Sequence, residues 1–161
     1  MGVFGMMQKS MLAAGLLILA LGGCDSPPPD LGPPPPGPGA QIIGNGGECL
    51  DVQGGGAADG TPIILFHCHG SPNQSWIVSN NQIIGGSGSC LDVQGSAAVD
   101  GAPIILVHCD GRASQRWSLT NGGIVGIGGK CLDVMGGGTG DRTPVILTPC
   151  RGAAGQQWSV Q

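Results

Sequence analysis

Tyrosine is absent from this chain of 161 residues, phenylalanine occurs twice and tryptophan three times. Aromatic rings contribute the most buried area per side chain, so a core with so few of them is thin and needs another source of stability. Charge is scarce as well: charged residues make up 10% of the chain. From Cys24 onward ten acidic residues face five basic ones, a net charge of about −5. There is no basic patch, which excludes nucleic acid as a partner. No stretch shows helical periodicity, and the apolar run Met11 to Leu21 is too short to span a bilayer comfortably. No Ser/His/Asp or Cys/His arrangement stands out, so no catalytic residue is expected.

What the chain does contain is glycine (33 residues), proline (13), seven cysteines and a threefold repeat. Cys49-Leu50-Asp51-Val52 returns as Cys90-Leu91-Asp92-Val93 and as Cys131-Leu132-Asp133-Val134, with a period of 41 each time. Nineteen residues after each of these cysteines stands another: Cys68, Cys109 and Cys150. Eight residues further on, each copy closes on a tryptophan, in Gln74-Ser75-Trp76, Gln115-Arg116-Trp117 and Gln156-Gln157-Trp158. Three copies without drift in spacing predict three equivalent pieces of structure around a pseudo-threefold axis. The copies run over residues 41–81, 82–122 and 123–161.

Each copy carries four short segments of strand character. In the first they are Gln41 to Ile43, Cys49 to Gln53, Pro62 to Phe66 and Trp76 to Val78. Glycine-rich stretches separate them, and Asp59-Gly60, Asp100-Gly101 and Asp141 mark a turn before the third strand of each copy. The expectation is an all-β head over residues 40–161, built from twelve strands in three groups of four. Its core is expected to gather the tryptophans near the axis with Leu50, Ile64, Val78 and their equivalents.

The amino-terminal part reads differently. Lys9 and the apolar run form a signal-like segment over residues 1–23, and Leu21-Gly22-Gly23-Cys24 resembles the lipobox of bacterial lipoproteins. That resemblance implies lipidation of Cys24, a membrane held through the N-terminal lipid, and an exported protein of the bacterial cell envelope. It also accounts for the odd cysteine left over by three repeat-related pairs. Residues 24–39, with Pro27-Pro28-Pro29 and the run Pro33 to Gly39, cannot pack a core and favour an extended, stiff spacer.

Three cysteine pairs in register with three Gln-x-Trp closures resemble the ricin B-type lectin family, whose relatives include carbohydrate-binding modules of bacterial xylanases. The resemblance covers residues 41–161 and implies a β-trefoil that binds sugar without catalysing a reaction. It implies pairing within copies: Cys49–Cys68, Cys90–Cys109 and Cys131–Cys150. Closing each loop of about 20 residues contributes roughly 3 kcal/mol in the chain-entropy view, and such bonds form on export to an oxidising compartment. A Cys-x18-Cys spacing is not that of a zinc site, and neither metal nor cofactor is expected.

Candidate site residues come from where the copies differ. Phe66 is the one aromatic of the head outside the tryptophans; the equivalents are Val107 and Thr148. In the lectin family this position carries the ring on which a sugar stacks. A flat ring covers the apolar face of a pyranose with only two torsions to fix. Asp51 would accept from two neighbouring hydroxyls, Asn73 would offer a donor and an acceptor, and His69 would add a polar contact. Gln74 completes the set, although its recurrence as Gln115 and Gln156 reads equally as scaffold.

The second and third copies keep Asp92 with Gln115 and Asp133 with Gln156 but lose the ring and the amide, so one working site and two degenerate ones are expected. Ile64 departs from the family, where several sugar-binding members carry a polar residue. Galactose- or xylose-type glycans are the expected partners of a monomer. A structural or protein-binding trefoil with decayed sugar sites is the competing reading.

Overall fold

The computed structural model describes residues 39–161. The expected signal segment, Cys24 and the linker before Gly39 lie outside the described residues. The head is a β-trefoil. Its first repeat contributes β1 (Ile42–Gly44), β2 (Cys49–Val52), β3 (Thr61–Phe66) and β4 (Trp76–Ser79). The second contributes β5 (Gln82–Gly85), β6 (Cys90–Val93), β7 (Ala102–Val107) and β8 (Ser118–Thr120). The third contributes β9 (Gly123–Val125), β10 (Lys130–Val134), β11 (Val145–Pro149) and β12 (Trp158–Val160). All pairings between these strands are antiparallel, so the sheet curls on itself through hairpins.

Two sets of pairings link the repeats. The fourth strand of each repeat pairs with the first strand of the next: β4 with β5, β8 with β9, and β12 back to β1 through Ile42 opposite Val160. The third strands also meet in a circle. β3 pairs with β7 and β7 with β11. The circle closes where Leu65 N–H donates to Thr143 O at 2.8 Å and Arg142 N–H donates to Leu65 O at 2.7 Å. As a result, the turn that precedes a third strand abuts the end of the third strand in a neighbouring repeat.

The tryptophans are buried as expected, and each indole Nε1–H donates to a backbone carbonyl on a second strand: Trp76 to Leu50, Trp117 to Leu91, Trp158 to Leu132, at 2.9, 2.9 and 3.1 Å. Their rings press on glycines at the ends of first strands, Gly44, Gly85 and, just after β9, Gly126. A Cβ at Gly126 would stand 2.5 Å from the Trp117 ring, so only hydrogen fits there. The three disulfides join Cys49–Cys68, Cys90–Cys109 and Cys131–Cys150, the intra-repeat set.

Two expected core positions are corrected. Val78 and its equivalents Leu119 and Val160 are 38, 45 and 39% exposed. They face Ile83, Ile124 and Ile42 across the paired strands, and those isoleucines, which are buried, fill the layer and leave the fourth strands at its rim. Ile64 is buried but not in the central cluster. Ile63 and Leu65 point inward, and strand alternation turns Ile64 to the outer face of β3.

The recurring His67 and His108 each join two repeats. His67 N–H donates to Asp141 Oδ1 at 2.6 Å, and its Nδ1 lies 2.9 Å from Asp141 Oδ2. His108 makes the same pair of contacts with Asp59, at 2.7 and 2.6 Å. These histidine hydrogen bonds hold both aspartates below the usual carboxylate pKa. The third equivalent is broken: Pro149 has neither the ring nor the N–H, and Asp100 pairs with Lys130 instead.

Candidate functional site

On the outer face of the first repeat lies a cleft of about 390 Å³, lined by Asp51, Gln53, Gly54, Ile64, Phe66, His69, Asn73 and Arg142. Strand pairing builds its floor. β2 presents Asp51 opposite Ile64 on β3, and Phe66 ends β3 opposite the disulfide-bonded Cys49. A short 3-10 turn, Pro72–Gln74, brings Asn73 and Gln74 against Asp51. Proline at its start pre-sets the backbone for that turn.

Asp51 is 3% exposed, and a carboxylate so deep needs donors. Asn73 Nδ2 donates to its Oδ1 at 2.9 Å, and Gln74 Nε2 donates to its Oδ2 at 2.8 Å. His69 Nε2 stands 3.4 Å from the same Oδ2. Ser71 N–H donates to His69 Nδ1 at 3.3 Å, so in the neutral ring the proton sits on Nε2, facing the carboxylate. An ionised carboxylate offers about four lone-pair directions, which leaves room for a hydroxyl donor from the cleft.

The expected site residues therefore come together, with two refinements. Asn73 donates to both Asp51 and Val52 O, so the group it presents is Oδ1, an acceptor, rather than a donor–acceptor pair. Gln74 is fully buried behind Asp51. Its Oε1 accepts from His69 N–H, and its Nε2 serves Asp51 and His67 O. Its polar atoms are committed to the scaffold, and Gln115 and Gln156 hold the same pattern on Asp92 and Asp133. Phe66 is half-buried and shares its neighbourhood with His67 and His69, at ring-centroid distances of 4.4 and 5.8 Å.

Gln53, Gly54 and Arg142 were not legible as site residues. Gln53 and Gly54 directly follow the β2 motif, where a glycine-rich turn hides them among many. Arg142 arrives from the third repeat, and the one signal for it was that Asp59-Gly60 and Asp100-Gly101 become Asp141-Arg142.

The equivalent places in the other repeats set different side chains around the aspartate. In the second, Arg112 donates through Nε to Asp110 Oδ2 at 2.6 Å and its Nη1 reaches 3.9 Å from Asp92. Hydrogen bonding to Arg112 pulls the Asp110 pKa down to about 2. Val107, buried, stands where Phe66 does. In the third, Asp133 accepts from Thr148 Oγ1 at 2.6 Å and from Gln156 at 3.0 Å, and Arg151 Nη2 lies 3.6 Å away. Gly155 takes the place of Asn73, and a Cβ there would come within 2.6 Å of Asp133 Oδ1. Among the described residues no group of three or more His, Cys, Asp or Glu could hold a metal ion.

Comparison with known proteins agrees with this architecture. Residues 39–158 match the profile of the ricin-type beta-trefoil lectin domain. The designed three-fold symmetric protein ThreeFoil is similar in structure, with a TM-score of 0.69 and 29% identity over 75% of this chain and 96% of its own. A non-toxic homologue of type II RIPs from Momordica charantia (bitter gourd), solved in complex with α-methyl-D-galactoside, has a TM-score of 0.67 and 29% identity. The match covers 75% of this chain and 46% of that one. In sequence, the probable lipoprotein EnvE of Salmonella typhimurium is 48% identical over 40 residues, 25% of this chain. The match spans 23% of EnvE.

Proposed function

The chain belongs to the ricin-type β-trefoil lectin family, and from that premise we propose that it is a membrane-tethered, non-catalytic lectin whose working sugar site is the cleft of the first repeat. The observation that carries this reading is the open cleft itself. It combines a half-buried aromatic ring, a buried carboxylate and an amide acceptor, and among the described residues no arginine lies within ion-pair distance of its carboxylate as Arg112 and Arg151 do in the other repeats.

The C–H face of a pyranose stacks on Phe66, a hydroxyl donates to Asp51, and another donates to Asn73 Oδ1. Gln74 positions the carboxylate without touching the sugar. A site this shallow binds a monosaccharide weakly, with Kd on the order of millimolar to tens of micromolar. Many copies on one membrane would raise the avidity. A galactose-type sugar is the first candidate, by likeness to the bitter gourd homologue solved with a galactoside.

Export is supported by the three disulfides. The lipid anchor at Cys24 and the proline-rich stalk over residues 24–39 are supported by the lipobox-like segment and by the likeness to EnvE, described as a probable lipoprotein.

The test is a glycan-array screen of the full-length protein, dispersed in a sugar-free non-ionic detergent, beside Phe66→Ala. Binding to one coherent sugar class, lost by at least about tenfold in the variant, is the expected result. A folded, fully disulfide-bonded protein that binds no glycan overturns the reading in favour of a protein-binding trefoil.

A further inference from the structure

Arg142 is the one residue of the cleft that the third repeat supplies. Its equivalents are Gly60 and Gly101. All three positions have positive φ, +89° and +81° at the glycines and +68° at Arg142. Glycine takes this conformation freely, whereas an L side chain adopts it reluctantly. Two repeats of three keep the easy residue, and arginine stands only where the turn borders the open cleft. Strained non-glycine residues concentrate at functional sites.

The backbone holds Arg142 firmly, because its N–H donates to Leu65 O at 2.7 Å and the neighbouring Asp141 is bound to His67. The guanidinium, by contrast, makes no hydrogen bond or ion pair with the described residues, as is also the case for Arg116, whereas Arg112, Lys130 and Arg151 are each within ion-pair distance of an aspartate. The carboxylate of the cleft, Asp51, is surrounded by Asn73, Gln74 and His69, and Asp141, next to Arg142 in the chain, is held by His67.

We infer that the first-repeat cleft selects a sugar bearing a carboxylate, a hexuronic acid, which Arg142 receives as a planar, bidentate partner while Phe66 and Asp51 hold the ring. This rests on the lectin reading above and adds to it the charge of the ligand. The chemistry is that of the guanidinium fork, whose paired N–H donors match a carboxylate. A neutral hexose leaves that fork in water.

The experiment is an NMR titration of the full-length protein in the same detergent with galactose, galacturonic acid and the methyl ester of galacturonic acid. Wild type should bind galacturonic acid about threefold to fivefold better than either neutral ligand, the size expected of a solvent-exposed charged pair. Arg142→Gly restores the residue that the other repeats carry and relaxes the backbone, so it does not threaten the fold. In it, the affinity for galacturonic acid should fall to that for galactose.

Equal binding of galacturonic acid and galactose by wild type overturns the inference, as does a preference that survives Arg142→Gly. Galactose binding that Phe66→Ala removes keeps the lectin reading standing in either case. Binding of none of the three ligands overturns the inference, and the glycan array then decides the lectin reading separately.

Discussion

The first repeat and its two copies start from the same buried aspartate, the same glutamine behind it and the same disulfide beside it, yet they surround that aspartate differently. Asp51, Asp92 and Asp133 are all nearly inaccessible and all accept from a glutamine Nε2. The difference lies in the other partners. In the first repeat Asn73 donates to Oδ1 and His69 approaches Oδ2. In the second, Val93 N–H donates to Oδ1 and Arg112, tied to Asp110, approaches Oδ2. In the third, Thr148 and Arg151 both meet Oδ2.

The buried Asp–Gln unit is thus a scaffold element in all three repeats, which internal symmetry preserves. On the reading proposed above, function depends on the few positions around it. A buried charge costs too much to leave unpaired, and in the second and third repeats an arginine takes part, Arg112 at 3.9 Å from Asp92 and Arg151 at 3.6 Å from Asp133.

The comparison is broken most severely by removing the aspartates one at a time. Asp51→Asn and Asp92→Asn each set an amide NH2 against a donor whichever way the amide turns, because both carboxylate oxygens accept. Each should lower stability by about 1–3 kcal/mol, the cost of an unsatisfied buried group. Asp133→Asn can keep its oxygen on Gln156 and Thr148 and should cost less by chemical denaturation, while glycan binding disappears only in Asp51→Asn. Loss of binding in either of the other two would mean that more than one repeat works.

A smaller effect comes from rebuilding. Val107→Phe, Asp110→His, Arg112→Ser and Ser114→Asn together give the second repeat the side chains of the first and remove its arginine. The stoichiometry of sugar binding, read by titration, should rise from one to two per chain, with the two sites within about tenfold of each other. The Ser114 hydroxyl is buried without a partner in the present arrangement, so an amide that reaches Asp92 improves that spot. A stoichiometry that stays at one would show that the ring and amide are insufficient without a cation from a neighbouring repeat. The turn bordering the second repeat carries Gly60 where the first repeat has Arg142.

The smallest effect concerns the contacts between repeats. Asp59 and Asp141 have folded pKa values below the ordinary 3.8, held there first by hydrogen bonds from His108 and His67. A depressed carboxylate pKa contributes stability that is present above the unfolded value and is lost as pH falls through the folded one. Asp141→Asn should therefore lower the melting temperature near neutral pH by no more than about 3 °C, since both partners are solvated. The gap to wild type should close below about pH 4. A gap that persists at pH 2 would show that the contact acts through packing rather than charge.

Much of this protein is legible before folding. The 41-residue period, the cysteine spacing and the Gln-x-Trp closures lead to twelve strands, three disulfides and buried tryptophans, because each is a local pattern repeated in register. The first-repeat residues Asp51, Phe66, His69 and Asn73 stood out by contrast with their equivalents. Less legible is which face a side chain takes and which of its atoms are spent. Apolarity alone places Val78 and Ile64 in the core, but Ile83 fills the layer beside Val78 and strand alternation turns Ile64 to the outer face of β3. Asn73 reads as a donor, but its amide hydrogens go to Asp51 and Val52 O.

The sequence by itself determined the threefold architecture and singled out the odd repeat, since both follow from comparing the chain with itself. Only the tertiary structure decided which oxygens are already satisfied, which cations approach which aspartates, and that Arg142 borders a cleft whose aspartate lies 91 positions earlier in the chain. The reason is the circular pairing of the third strands. It places each turn against a neighbouring repeat, so the lining of the cleft joins residues that no local pattern relates.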